Sequence, residues 1–192
     1  MIAGILLAAG AGTRFGGGKL IQILSDDTPV CVASVRNLKA ALPNVIAVTR
    51  PGDMAVYALL QQENDLQVLT CPRAEEGMGH TLAEGVAASR DAAGWIVALG
   101  DMPLIQPATI KRVADAIAQG AWFAIPRHQG KRGHPIGIHR YFRDQLLLLT
   151  GDKGARDLIA AHPDKIEFID VDDPGILLDI DTRADLDQVR NL

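Results

Sequence analysis

The 192-residue sequence holds only two cysteines, Cys31 and Cys71. Neither stands in a CxxC or a Cys/His cluster, which excludes a disulfide framework, a structural zinc site and a thiol redox centre and fits a reducing cytoplasm. Aromatic residues make up 4% of the chain. Trp95 and Trp122 fall in apolar runs and read as core rather than as stacking platforms. There is no run of like charges, and the formal net charge is -4. Without a basic face to displace counterions, nonspecific nucleic-acid binding is excluded. No apolar stretch approaches the ~20 residues of a membrane span. Met1 to Ala11 is apolar, but no Lys or Arg precedes it and its glycines run straight on into a polar loop, so it reads as a buried first strand. Repeats, low-complexity segments and Pro/Gly/Ser linkers are missing too.

What is present is 48% hydrophobic content in one domain's worth of chain, 1–192, enough to bury a sizeable core. Short apolar runs alternate with amphipathic stretches, the pattern of an α/β fold with a mostly parallel sheet between two helical layers. The runs predict strands at Ile2 to Ala8, Val45 to Thr49, Leu66 to Thr70, Trp95 to Leu99, Trp122 to Ile125, Pro135 to Ile138, Ile166 to Ile169 and Leu177 to Ile180. Helices are predicted at Val30 to Ala41, Asp53 to Gln62, His80 to Arg90, Pro107 to Gln119, Tyr141 to Leu149, Ala155 to Ala161 and Arg183 to Arg190.

Ligands of such sheets collect beyond the carboxyl ends of the strands. Two unusual loops fall there. The first strand runs into ILLAAGAGTRFGGGKL, Ile5 to Leu20, a glycine-rich loop that holds Arg14 and ends at Lys19. Glycines let amide N–H groups gather round an anion, and the two cations reach a polyphosphate beyond them. The fourth strand runs into GDMP, Gly100 to Pro103, whose Asp101 is placed to ligate Mg²⁺ together with phosphate oxygens. Gly-Asp before proline also suits a plain turn. Neither common phosphate motif fits. Lys19 is followed by Leu20 rather than Ser or Thr, and Gly12 lies one residue too far back for a P-loop. Phe15 occupies the third glycine of a dinucleotide fingerprint, and the second strand ends at Thr49 and Arg50 without the acidic ribose ligand.

The loop does resemble the LAAGxxxRxGxxK signature of nucleotidyltransferases with a GT-A-like, Rossmann-like three-layer α/β/α fold, standing here as Leu7, Ala8, Ala9, Gly10, Arg14, Gly16 and Lys19. The likeness continues through RGHP (Arg132 to Pro135), GDKGAR (Gly151 to Arg156) and DIDTRADL (Asp179 to Leu186). Taken together, these resemble the molybdenum cofactor cytidylyltransferase branch of the MobA-like NTP transferases, over nearly the whole chain.

That resemblance implies a role for each matching position. The backbone from Ala8 through Ala11 to Gly12 surrounds the nucleotide, Arg14 and Lys19 hold the triphosphate, and Asp101 carries Mg²⁺. Asp179 or Asp181 supplies a second metal ligand, since alternation puts both on one face and Ile180 on the other. Gly79, His80 and Thr81 stand where relatives touch the nucleoside. His80 departs from the serine-rich version there, which leaves the base open, and a loop with a helix cap explains it equally. His134, Asp152 and Arg156 fall on the acceptor side, although His134 also suits a turn and Asp152 a helix start. Thr182 and Asp185 read as a capping box. His128, His139 and His162 are scattered without metal-ligand spacing and are given no role.

The activity implied is transfer of CMP from CTP to the phosphate of a molybdenum-loaded pterin, with release of pyrophosphate and transient contact with a molybdoenzyme. The acceptor phosphate is already anionic, so no Ser, Cys or His nucleophile is needed. Another phosphorylated acceptor, a dehydrogenase, and a non-catalytic carrier of the pterin cofactor are the alternatives.

Overall fold

The computed structural model describes residues 1–191. Among the described residues eight strands build one sheet: β1 (Ile2–Ala8), β2 (Val45–Thr49), β3 (Leu66–Thr70), β4 (Gly94–Leu99), β5 (Phe123–His128), β6 (Lys131–Arg132), β7 (Ile136–His139) and β8 (Ile166–Asp170). Their order is β3-β2-β1-β4-β7-β5-β6, with β8 paired to β5. β3, β2, β1 and β4 are mutually parallel, and β8 is parallel to β5. β7 lies antiparallel between β4 and β5, and β6 folds back on β5 as a hairpin. The sheet is therefore mixed but mostly parallel.

Seven α-helices of the described residues flank it: α1 (Val30–Ala41), α2 (Met54–Gln61), α3 (Met78–Ala88), α4 (Pro107–Ala118), α5 (Arg143–Leu147), α6 (Arg156–Ala160) and α7 (Arg183–Arg190). All seven β1 residues are buried because both faces of the sheet are covered. The two-residue alternation of the strand divides them. Ile2, Leu6 and Ala8 join the core beneath α1, α2, α4 and α7, whereas Ala3, Ile5 and Leu7 join the core beneath α3, α5 and α6. Full burial of each large aliphatic side chain contributes roughly 1.5–3 kcal/mol, so this strand anchors both layers.

Several elements differ from expectation, among them β6, which was not expected, and β5, which runs three residues further, to His128. Leu177 to Ile180 is not a strand: Pro174–Leu177 forms a 3-10 turn, and the extended residues after it hold to the rest through the Ile180 N–H, which donates to the Asp101 carbonyl at 3.0 Å. Asp179 and Asp181 nevertheless share a side, with Ile180 fully buried on the other. Tyr141 to Leu149 divides into a 3-10 turn and the short α5. Helix α3 starts two residues early, at Met78, so Gly79, His80 and Thr81 sit in its first turn.

The C-terminal helix begins with the expected capping box of Thr182 and Asp185. Trp95 is fully buried and donates its indole N–H to Ser89 Oγ at 2.9 Å. Trp122 departs from the core expectation. It is only half-buried, because it lies at the margin beside Tyr141, with Lys165 over its ring. Cys31 and Cys71 are buried free thiols, and burial pushes Cys31 up to about 12, far from thiolate reactivity. No helix among the described residues is long and apolar enough to cross a membrane.

β7 has no room for a side chain at Gly137. A Cβ there would lie 2.6 Å from Ile117 Cγ1 and 3.0 Å from Val113 Cγ1 on α4. Gly137→Ala is expected to overpack the layer and cost about 1–3 kcal/mol, seen in thermal unfolding as a loss of roughly 2–4 °C per kcal/mol for a domain of this size. An unchanged Tm would contradict this packing.

Candidate active site

The glycine-rich loop leaves the carboxyl end of β1 and closes on itself. Phe15 and Gly17 N–H groups donate to the Gly12 carbonyl, and Gly16 N–H donates to that of Thr13. Gly12, Gly16, Gly17 and Gly18 all have positive φ, a path that side chains with a Cβ would strain. Gly10, Ala11 and Gly12 keep N–H groups that meet no backbone acceptor among the described residues. The Gly10 and Ala11 amides lie at the cleft and are available to an anion there. The loop wraps the stem of Lys19, whose side chain is largely buried.

Lys19 Nζ donates to Asp101 Oδ2 at 2.6 Å and to Asp181 Oδ1 at 2.9 Å, and Arg14 donates to Asp181 Oδ2 at 2.8 Å. The cations expected on phosphate are thus paired with carboxylates expected on metal. Burial alone would lower the Lys19 pKa, but the adjacent Asp101 carboxylate and then Asp181 outweigh it and hold the ammonium above its ordinary value. The hydrogen bond from Lys19, joined by that from Arg14, holds Asp181 below the usual carboxylate range. Asp179 goes the other way: burial, then the charges of Asp181 and Asp101, push it up. Asp101 keeps one buried oxygen, Oδ1, without a hydrogen-bond partner.

These groups line a polar cleft of about 580 Å³. Leu7, Ala9, Gly10 and Ala11 come to it from β1 and the loop, together with Arg14 and Lys19. Asp101, Asp179 and Asp181 also line it, as do Thr81, Asp152 and Arg156. Ala8 does not reach the cleft, because strand alternation turns it into the core opposite Leu7 and Ala9. Gly12 lies behind it, against the Lys19 stem. Gly79 and His80 also stay away. The Gly79 N–H donates to the Gly151 carbonyl at 2.8 Å, and a Cβ on Gly79 would strike the Thr150 backbone at 2.6 Å. His80 is buried, with Nε2 3.5 Å from Glu76.

His134 lines a second cavity, of about 570 Å³, which meets the cleft at Leu7, Met78, Leu99 and Arg156. Its walls are mostly apolar, with Leu82, Val97, Ile125 and Ile159 among them, and its charges are cations: Arg132, Lys153 and Arg156. Burial pushes the His134 imidazole below its ordinary pKa, and its Nδ1 has no hydrogen-bond partner. The remaining histidines are used locally: His128 and His162 bond to the carbonyls of Val171 and Leu158, and His139 caps a turn. Arg50 was not anticipated. It lines the cleft directly after β2, with a buried Nε that has no hydrogen-bond partner and lies 3.6 Å from Asp53 Oδ2. The rule that ligands meet strand ends would have pointed to it.

The donor set suits a hard divalent cation. Three carboxylates converge, the Asp101 Oδ1 is unpaired, and burial together with like-charge crowding raises Asp179. Among the described residues no three acidic, His or Cys groups are pre-assembled as a metal site, because Lys19 stands between Asp101 and Asp181.

A three-layer α/β/α fold with a cation-bearing glycine loop and a strand-end aspartate defines a nucleotidyltransferase architecture. The chain belongs to the MobA-like NTP transferases, whose family domain matches residues 4–166. It is 30% identical over 190 residues to the nicotine blue oxidoreductase of Paenarthrobacter nicotinovorans, covering 94% of this chain and 92% of that one. To the phosphoenolpyruvate guanylyltransferase of Rhodococcus erythropolis it is 26% identical, covering 90% and 78%. The crystal structure of Rv0371c from Mycobacterium tuberculosis superposes with a TM-score of 0.88 at 27% identity, covering 100% and 97% of the two chains, and Rv0371c has also been solved in complex with manganese.

Titration of the two carboxyls by NMR is expected to find Asp181 below, and Asp179 above, ordinary aspartate. The depressed Asp181 adds stability that is fully present above its unfolded pKa and is lost as pH falls through its folded one. Lys19, being raised, adds stability that is present below its unfolded pKa and is lost as pH rises through its folded one. Asp179 contributes in the opposite sense to Asp181. In Lys19→Met the Asp181 titration should move up; an unmoved Asp181 would show that the pair does not set its pKa.

Proposed function

We propose that the chain transfers CMP from CTP, in a Mg²⁺-dependent reaction, to the terminal phosphate of a molybdenum-loaded molybdopterin, releasing pyrophosphate. The observation that carries this reading is the junction of two cavities at Arg156, one polar and lined by Lys19, Arg14 and Asp101, the other apolar with a cationic rim. The polar cleft suits a triphosphate. The apolar one suits a ring system with an anionic arm, better than a small and wholly charged acceptor.

In this reading the Gly10 and Ala11 amides, Arg14 and Lys19 hold the triphosphate, and Arg50 adds a third cation. Thr81 faces the nucleoside. Asp101 and Asp179 would hold the divalent ion, which supplies charge neutralisation at the transferring phosphoryl group. Arg156 steadies the acceptor phosphate as it attacks the α-phosphorus in line, with Asp152 beside it and His134 in the ring cavity. The nucleophile is already charged, so alignment and electrostatics carry the rate.

One comparison favours a second reading. A relative covering almost the whole chain is called an oxidoreductase, which makes a reduced nicotinamide dinucleotide bound at Gly10 and Gly12 the competing ligand.

A thermal-shift panel decides between these readings, since a ligand that binds only the folded chain raises its Tm. With Mg²⁺, CTP is expected to give the largest shift. A shift with NADH or NADPH and none with any triphosphate would favour the second reading, and a shift with neither would favour a non-catalytic carrier. Lys19 and Arg14 already hold Asp101 and Asp181, so Mg²⁺ alone or CTP alone must break ion pairs that the two together replace. Calorimetry should show CTP binding at least about tenfold tighter with Mg²⁺ present, a coupling of ~1.4 kcal/mol. Lys19→Ala and Asp101→Ala are expected to lower turnover by about 10²-fold or more while remaining folded. Near-normal pyrophosphate release by Asp101→Ala would sink the metal role.

A further inference from the structure

Asp173 is 2% exposed and makes no ion pair among the described residues. A buried carboxylate is costly unless fully hydrogen-bonded, and this one is. Oδ2 accepts the Gln106 N–H at 2.9 Å and the Thr109 hydroxyl at 2.7 Å, and Oδ1 accepts the Gly175 N–H at 3.0 Å. It thereby caps α4, whose own N-cap residue, Gln106, offers no side-chain bond, and the negative charge suits the helix N-terminus.

The chain then runs from Asp173 to Asp181 as a strap. At Gly175 it presses on the loop that follows Asp101: a Cβ there would lie 2.2 Å from the Leu104 carbonyl oxygen. One residue on, the Ile176 carbonyl accepts the His134 N–H at 3.0 Å and crowds Gly133. Ile180 N–H then donates to the Asp101 carbonyl at 3.0 Å, and Asp179 and Asp181 enter the cleft. One segment thus grips the Asp101 loop from one side and the RGHP loop from the other.

We infer that Asp173 is a positioning residue, which fixes the strap and through it the relative placement of Asp101 and His134, and so of donor and acceptor. This rests on the two-substrate reading above. The bonds made by Asp173 fix the first residues of the strap, and the bonds made by His134 and Ile180 transmit that placement to the two loops. Asp173→Asn keeps the shape but turns an amide NH₂ toward donors that need an acceptor.

Amide hydrogen exchange tests the strap without any substrate. In Asp173→Asn, exchange at His134 and Ile180, which Asp173 does not touch, is expected to rise at least about tenfold while β1 and β4 stay protected. Thr109→Val, which removes one bond only, should give a smaller rise at the same amides. In steady state, Asp173→Asn should lose turnover by about tenfold or more, with a smaller change in the KM for nucleotide. Ser89→Ala, which removes the distant bond to Trp95, supplies the comparison: it lowers Tm and leaves kinetics unchanged. Faster exchange confined to Gln106 and Gly175, or Asp173→Asn behaving like Ser89→Ala, would overturn the proposal. If the wild-type chain transfers no nucleotide, the transferase reading fails and exchange alone decides the strap.

Discussion

One ammonium holds this site together. Lys19 reaches both Asp101, from the loop after β4, and Asp181, from a segment 80 residues later, so a single side chain ties two distant loops to the glycine-rich turn that wraps its stem. Take it away and three carboxylates face one another in a half-buried cleft, where their repulsion is poorly screened. The cleft has its present shape because a cation stands at its centre, and the same cation excludes a ready-made metal site. The resting ion pairs and the readiness for an anionic substrate are therefore consequences of the same contact.

Much of this was legible in the sequence, for identifiable reasons. Apolar runs as unbroken as Ile2–Ala8 belong to strands covered on both faces, and a glycine loop with two cations after such a run has few purposes. Asp101 was readable because a strand end fixes where its carboxylate emerges. Long-range partners were not readable. Nothing at Asp173 announces that it caps a helix 64 to 67 residues earlier, and nothing at Gly79 announces that Thr150 lies against it. Leu177 to Ile180 looked like a strand because alternation reports which side faces the core, and an extended strap with one buried isoleucine alternates just as a strand does. Arg50 went unread since it carries no motif, although it stands at a strand end.

Cleft and cavity divide recognition between charge and shape. Amides, cations and carboxylates on one side of Leu7, Met78 and Leu99 impose polarity but little selectivity among anions. The mostly apolar walls on the other side select by fit and admit charge only at the cationic rim. A ligand that spans the junction must carry an anionic group beside Arg156, the one charged side chain common to both.

The reversed direction of β7 has a consequence for how such a site can change. Parallel strands present their exit loops at the ligand edge of a sheet, but β7 runs against β4 and β5, so it presents its entry loop, the RGHP segment, at that same edge. In the proposed reading, the turns that hold the triphosphate and the turn that meets the acceptor thus belong to opposite ends of their strands. In that reading, sequence drift or insertion around residues 133–135 would re-tailor the acceptor cavity while leaving the exit loops of β1 and β4, and with them the donor grip, in register.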